Sequence, residues 1–399
     1  MPAFPYIWHL FYQNQTTKMK KWILCLAVLC STAAMAQNTN KEGSRYVFTD
    51  IKNLDAGDVE NQGRTGTCWS FSGLSFFQAE ALRNGKGKGV NLSEMFVVRK
   101  MYPLKAVNYV RMHGKANFGE GGGFPDDLLC LREYGMVPQS IYDGNRVKTY
   151  NHAEMTGLLE NMSKSIGANE KEINPNWKVA FDGVLNAYMG DAPQKFDYNG
   201  KSYTPQTFAK DLGLNADDYV LISSFTHHPY YEQFVLEVPD NWNWERVYNV
   251  PLNELTAIAE NAIQTGYTIA WASDVSEKGF NFGAGLAIVP ATDFEDMTPD
   301  EKKNAFDEPI KEKTITPELR QLAFDNFETQ DDHGMHIVGM AKDQTGKVFF
   351  RVKNSWGTGN FDKGFFYASE PFFAYKTTCI MLNKKALPAA IAKKLGIKQ

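Results

Sequence analysis

The chain has 399 residues, 43% of them hydrophobic and 22% charged, a balance that suits a water-soluble folded protein with a sizeable core. Its 42 basic and 46 acidic residues leave a net charge of −4, and the body of the chain carries no basic run. A nucleic-acid footprint is therefore not expected.

The first informative stretch is N-terminal. Lys18, Lys20 and Lys21 precede an apolar run from Trp22 to Leu29, followed by Ser31-Thr32-Ala33-Ala34-Met35-Ala36. A basic region, a short apolar region and an A-x-A site predict a signal peptide cut after Ala36, with Met19 as a second candidate start. The apolar run is too short to span a bilayer, so no membrane attachment is expected after cleavage. Export to a periplasm or to the outside follows. Cys25 and Cys30 leave with the signal, and Cys68, Cys130 and Cys379 stay; an odd number of cysteines leaves at least one free thiol.

Residues 37 to 67 are polar and read as extended. Apolar spacing then predicts a helix from Cys68 to Arg83, stopped by Asn84-Gly85. Further helices are expected around Met155–Met162 and Phe181–Tyr188, so the middle of the chain reads as largely helical. Pro251 opens another helix, and residues 267–275 (YTIAWASDV) read as a buried strand. The charged stretch from Glu295 to Lys313 reads as a solvated helix and loop. His336–Ala341 and Lys347–Lys353 are strand-like around an Asp343–Gly346 turn. Helices first and antiparallel strands last give an α+β fold of two packed lobes.

Two segments carry chemistry. In Gln62-Gly63-Arg64-Thr65-Gly66-Thr67-Cys68-Trp69-Ser70, a glycine-rich loop delivers a cysteine to the first turn of a helix, where free N–H groups favour a thiolate. The Cys68 N–H and the Gln62 amide are candidate donors to an oxyanion. The second segment is Asp332-His333-Gly334-Met335-His336 with Asn354-Ser355-Trp356-Gly357. A hairpin turning at Gln344-Thr345 brings His333 beside Asn354, whose amide oxygen would fix the imidazole tautomer. Neither His333-x-x-His336 nor His227-His228 comes with an HExxH or cysteine-pair pattern, so no metal or other cofactor is expected; His227-His228, before Pro229, reads as a solvated turn.

Q-x5-C-W-S-F-S, D-H-x-x-x-x-V-G and N-S-W-G, in that order, resemble papain-like cysteine peptidases. The resemblance implies Gln62 as oxyanion donor, Cys68 as nucleophile, His333 as base and acid and Asn354 as its orienting residue. It further implies Trp356 as a shield over the His–Asn contact, and Gly122, Gly123 and Phe124 as the substrate-binding segment. Thr65 stands where papain has a disulfide cysteine. Cys68 and His333 lie about 265 residues apart, beyond the roughly 130–150 of papain and cathepsins. Both departures are similar to the bleomycin hydrolase and aminopeptidase C branch, as are GGGFPDDLLCLREYGMVP, IAWASDV and GFFYASEPFFAYKTTCIMLNKKALP. That resemblance covers residues 46 to 388. It implies a two-lobe fold, one lobe helical and one like an antiparallel β-barrel, with an insertion at about 145–250. A C-terminal arm would enter the cleft and offer its carboxylate to the substrate amine, and subunits would form a homohexamer. Here the tail after Pro388, residues 389–399, is short and basic. The expected activity is aminopeptidase action on short peptides through a thioester; the alternatives are an oligopeptide endopeptidase with an open cleft and an inactive binding scaffold.

Overall fold

Sequence alternation in the strands is what joins the parts of this molecule, because each face of the central sheet binds a different set of helices. A computed structural model describes residues 38–145, 149–169 and 171–399, and the signal segment expected at residues 1–36 lies outside the described residues. The strands are β1 (Thr49–Asn53), β2 (Phe196–Tyr198), β3 (Lys201–Tyr203), β4 (Tyr219–Ser223), β5 (Gln233–Val235), β6 (Arg246–Asn249) and β7 (Ile269–Ser273). They continue with β8 (Phe280–Asn281), β9 (Leu286–Ala287), β10 (His333–Lys342), β11 (Val348–Lys353), β12 (Phe365–Ser369) and β13 (Thr377–Asn383). β2 and β3 pair only with each other. The others form one sheet in the order β5-β6-β4-β13-β7-β10-β11-β12-β9-β8, with β1 added on β10. The β4–β6 and β9–β12 pairs are parallel and the rest antiparallel.

Successive residues of a strand face opposite ways. Ala270, Cys379, Met381 and Leu221 accordingly join a core with the helices Cys68–Arg83, Glu94–Arg111 and Phe124–Glu133. Trp271, Ile380, Leu382 and Ile222 join a second core with the helices Leu252–Gln264 and Glu370–Lys376. No described helix is long and apolar enough to cross a membrane.

The Cys68–Arg83 helix has the bounds its sequence predicts, and every residue from Trp69 to Ala81 is buried. Gly73 permits this: a Cβ there would collide with the Asp127 carboxylate of the neighbouring helix. The middle of the chain departs from expectation. Helices occupy Ala153–Gly167 and Trp177–Met189, but after Phe196 the chain turns to strands, and β4, β5 and β6 extend the main sheet. At three to five residues each, these strands are too short to show a period of their own; β4 is held by distant β13, β6 by β4, and β5 by β6.

The tail also departs from expectation. Helix Ala389–Lys394 and Leu395 bury Ile391, Ala392 and Leu395 in the core of the Leu252–Gln264 helix. Asn261 Nδ2 donates to Ala386 O at 2.7 Å, and Gln399 Nε2 donates to Leu387 O at 2.5 Å. The preceding β13 ends at Asn383, whose amide donates to Glu80 near the far end of the Cys68–Arg83 helix, at 2.7 Å. Glu80 lies twelve steps along the helix from Cys68, roughly 18 Å. The tail thus docks away from the nucleophile and does not enter this chain's cleft, because its apolar side chains are buried elsewhere.

Candidate active site

The loop before Cys68 is held by hydrogen bonds where papain has a disulfide. Gln62 N donates to Ser355 O at 2.9 Å, and Thr65 Oγ1, 2.9 Å from Gln62 O, also contacts Thr67 Oγ1 at 2.6 Å. Gly66 N donates to Glu120 Oε2 at 2.5 Å. Gly63 has φ +63°, and a Cβ there would meet Tyr150 O at 2.6 Å, so both conformation and space require glycine. The Gln62 amide is fixed at both ends. Ser355 Oγ donates to its Oε1 at 2.6 Å, and its Nε2 donates to Thr65 O at 2.7 Å, leaving one Nε2 hydrogen uncommitted. Cys68 N, the first helical amide, has no hydrogen-bond partner among the described residues.

Opposite stands the start of β10. His333 pairs with Ser273 of β7, and the β10–β11 register sets His336 against Lys353, with a bulge between Ile337 and Gly339. Asn354 follows directly, and its Oδ1 lies 2.8 Å from His333 Nε2 and accepts from Ser355 N. That carboxamide oxygen can only accept, so Nε2 carries a proton and Nδ1 is left as the base. The Trp356 ring lies 4.7 Å from the imidazole, centroid to centroid, with Phe280 and Phe282 edge-on behind it. Gly334 brings this strand onto the nucleophile helix: a Cβ there would lie 2.6 Å from Ser72 Oγ, 3.1 Å from Trp69 Cα and 3.3 Å from Cys68 O. His336, three residues on, is fully buried with Nδ1 2.8 Å from Ser75 Oγ, so the two histidines do not share a site.

A cavity of about 330 Å³ is lined by Gln62, Cys68, Gly122, Gly123, Phe124, His333 and Trp356, so all the sequence-predicted lining residues meet there; Asn354 stands directly behind His333. The glycine segment is rigid. Lys105 Nζ donates to Gly119 O and Gly121 O, and Trp69 Nε1 donates to Glu120 O at 3.0 Å. A Cβ at Gly122 would meet Trp69 Cε2 at 2.9 Å. Phe124 is itself largely core, beginning the Phe124–Glu133 helix.

Sequence reasoning missed the acidic wall. Asp240, Asp331 and Asp332 line the same cavity. Asp240 follows two short strands and belongs to no motif; Asp331 and Asp332 adjoin the base, and that adjacency was the one available signal. Asp332 accepts from the amides of Val275 and Ser276, and Asp331 from Thr378 Oγ1 at 3.1 Å. Burial raises Asp331 to about 7, helped by the nearby Asp240 charge and opposed by Thr378. Burial likewise pushes the Cys68 thiol up to about 12, the Gly334 N–H opposing and the Asp331 and Asp240 charges adding. It draws the His333 imidazole down to about 4, against the Asn354 hydrogen bond. Burial thus favours the uncharged form of each group, and the Asn354 hydrogen bond and the Gly334 N–H act against it.

A thiol at a helix N-terminus, an imidazole oriented by an amide and a braced second amide make the arrangement of a papain-type cysteine peptidase. The model of the Peptidase C1-like family matches residues 184–398, a span that holds His333 and Asn354, and the chain belongs to that family. It is 23% identical over 387 residues to aminopeptidase C of Lactobacillus delbrueckii subsp. lactis, covering 85% of this chain and 82% of that protein. It is 22% identical over 405 residues to bleomycin hydrolase of Rattus norvegicus, covering 88% and 85%. The crystal structure of PepW from Lactobacillus rhamnosis shares its fold, with a TM-score of 0.70 and 22% identity over 99% of this chain and 95% of that one.

Proposed function

We propose that this protein is a cysteine aminopeptidase that removes residues from the N-terminus of short peptides. The observation that carries the reading is the shared cavity of Cys68, His333 and Gln62 with Asp240 and Asp331 on its wall. His333 Nδ1 takes the thiol proton as Sγ attacks the scissile carbonyl, and Cys68 N–H and Gln62 Nε2 receive the oxyanion. The proton then passes to the leaving amine, a thioester remains, and water activated by the same imidazole hydrolyses it. A substrate α-ammonium placed against Asp331 and Asp240 neutralises the charges that help hold the thiol up, so a free amine both binds and activates. These two side chains take the role that the resemblance gave to a C-terminal carboxylate.

Cys68→Ser abolishes cleavage in this reading, and retained turnover overturns the mechanism. Asp331→Asn and Asp240→Asn lower kcat/KM for free-amine peptides about 10–100-fold, the loss of a charged hydrogen bond of roughly 1.5–3 kcal/mol, and do not lower it for N-acetylated peptides. Equal losses on both substrates overturn the exopeptidase part alone. The same reading takes residues 145–250 as an insertion into a two-lobe papain-like body with a barrel-like second lobe, supported by β4, β5 and β6 lying together at one end of the sheet. The basic run and A-x-A site of residues 18–36 support export, and the resemblance supports a homohexamer; N-terminal sequencing and sedimentation test these.

A further inference from the structure

We infer that His227, His228 and Glu237 form a binding site for a divalent transition metal of the zinc class, outside the Cys68 cleft. His227 and His228, read from sequence as a solvated turn, are each about 30% exposed, and their ligand atoms and that of Glu237 lie within 4.8 Å of one another. His227 Nε2 is 3.2 Å from Glu237 Oε2, and His228 Nε2 is 2.8 Å from Oε1.

The protonation pattern is set by the surroundings. Gln321 Oε1 accepts from the backbone N–H groups of Thr226 and His227, at 2.7 and 3.3 Å, and Gln321 Nε2 donates to Asp325 Oδ1, so the amide is oriented unambiguously. His227 Nδ1 faces that same oxygen at 3.0 Å and must donate to it. With Nδ1 committed to Gln321, Nε2 is the His227 atom that faces Glu237 Oε2; a proton can bridge either imidazole to the carboxylate, but a metal ion joins both imidazoles and the carboxylate at one point. Two imidazoles and a carboxylate, with the second nitrogen of one ring bound to an amide oxygen, are the ligands and outer support of an open zinc site.

The frame is built in advance of any ion. Buried Asn249 accepts from Phe225 N at 2.9 Å and donates to Phe225 O and His228 O at 2.8 and 2.9 Å. The His228 ring stacks on Phe234 at 4.6 Å. Leu236 and Val238, on either side of Glu237, line a pocket shared with Asp240 and Asp331, so a bound ion ties this edge of the cleft wall to the Thr226–Pro229 loop.

The test is a Zn²⁺ titration of the full chain carrying Cys68→Ser, which removes the competing thiol, by calorimetry and by competition with a chromophoric chelator. Co²⁺ then reports ligand number through its visible absorption. One equivalent of tight binding with a rise in Tm, weakened at least tenfold by Glu237→Gln and by His227→Ala, supports the site. Glu237 is exposed, so its amide variant tests the site without a change in the core. Binding unchanged in both variants, or no binding above weak surface association, overturns it.

Discussion

Replacing Gly334 by alanine tests whether the packing of β10 on the nucleophile helix sets the catalytic geometry. The added Cβ falls about 0.8 Å short of ordinary contact with Ser72 Oγ and is also crowded by Trp69 Cα and Cys68 O. Ser72 Oγ is itself bonded to Cys68 O at 2.7 Å, so it cannot swing away without losing that bond. The strand and helix must part by several tenths of an ångström at the point where they carry His333 and Cys68. Overpacking of this kind costs ~1–3 kcal/mol in stability. A misplacement approaching 1 Å costs as much as ~10²-fold in turnover. Thermal unfolding and kcat on a free-amine peptide measure the two effects. Gly157→Ala is the control: it lies in a helix with open space around the new methyl and gains up to ~1 kcal/mol without loss of activity. A Gly334→Ala enzyme that keeps kcat within threefold of the unsubstituted protein refutes the claim that this contact positions the pair.

Gln62→Ala removes one oxyanion donor and lowers kcat ~10²–10³-fold; Ser355→Ala, which frees the amide to rotate, gives a smaller loss, and equal losses in single-turnover rates would refute that ranking. In the pH dependence of kcat/KM, N-acetylated peptides show an acid limb near 4, because activity is lost only as pH falls through the lowered His333 value and the base takes a proton. Free-amine peptides show theirs near 7, because Asp331 must lose its proton, as pH rises, to hold an ammonium; Asp331→Asn removes that limb, and a common limb for both substrates counts against the acidic wall.

Much of the site was legible because its parts sit at element ends with strong local signals. The loop before Cys68 marks a helix start, the Asp343–Gly346 turn sets His333 beside Asn354 by spacing, the order of the three motifs supplies their roles through the resemblance, and β10 extends only three residues beyond its expected start. The Glu94–Arg111 helix was not legible: its buried residues fall on most of its circumference, so no amphipathic stripe marks it, and Pro103 in its interior reads locally as a break although the helix runs through it. β4, to which β6 and then β5 add, depends on pairing with β13 more than a hundred residues away, and the acidic wall joins Asp240 to Asp331 across a similar span, which no local window contains. The resemblance makes the tail a cleft arm, reduced and basic, whereas Ile391 and Leu395 decide where it docks.

One ladder passes beneath both walls of the cleft. β10 carries His333, pairs with β7 along its first five residues and receives the nucleophile helix through Gly334, while β7 and β13 pack against the helical core on that helix's side. Moving His333 away from β7 would break five register pairs at once, and Gly334 seats the same strand against the helix that begins at Cys68, so the spacing of base and nucleophile is set as the chain folds.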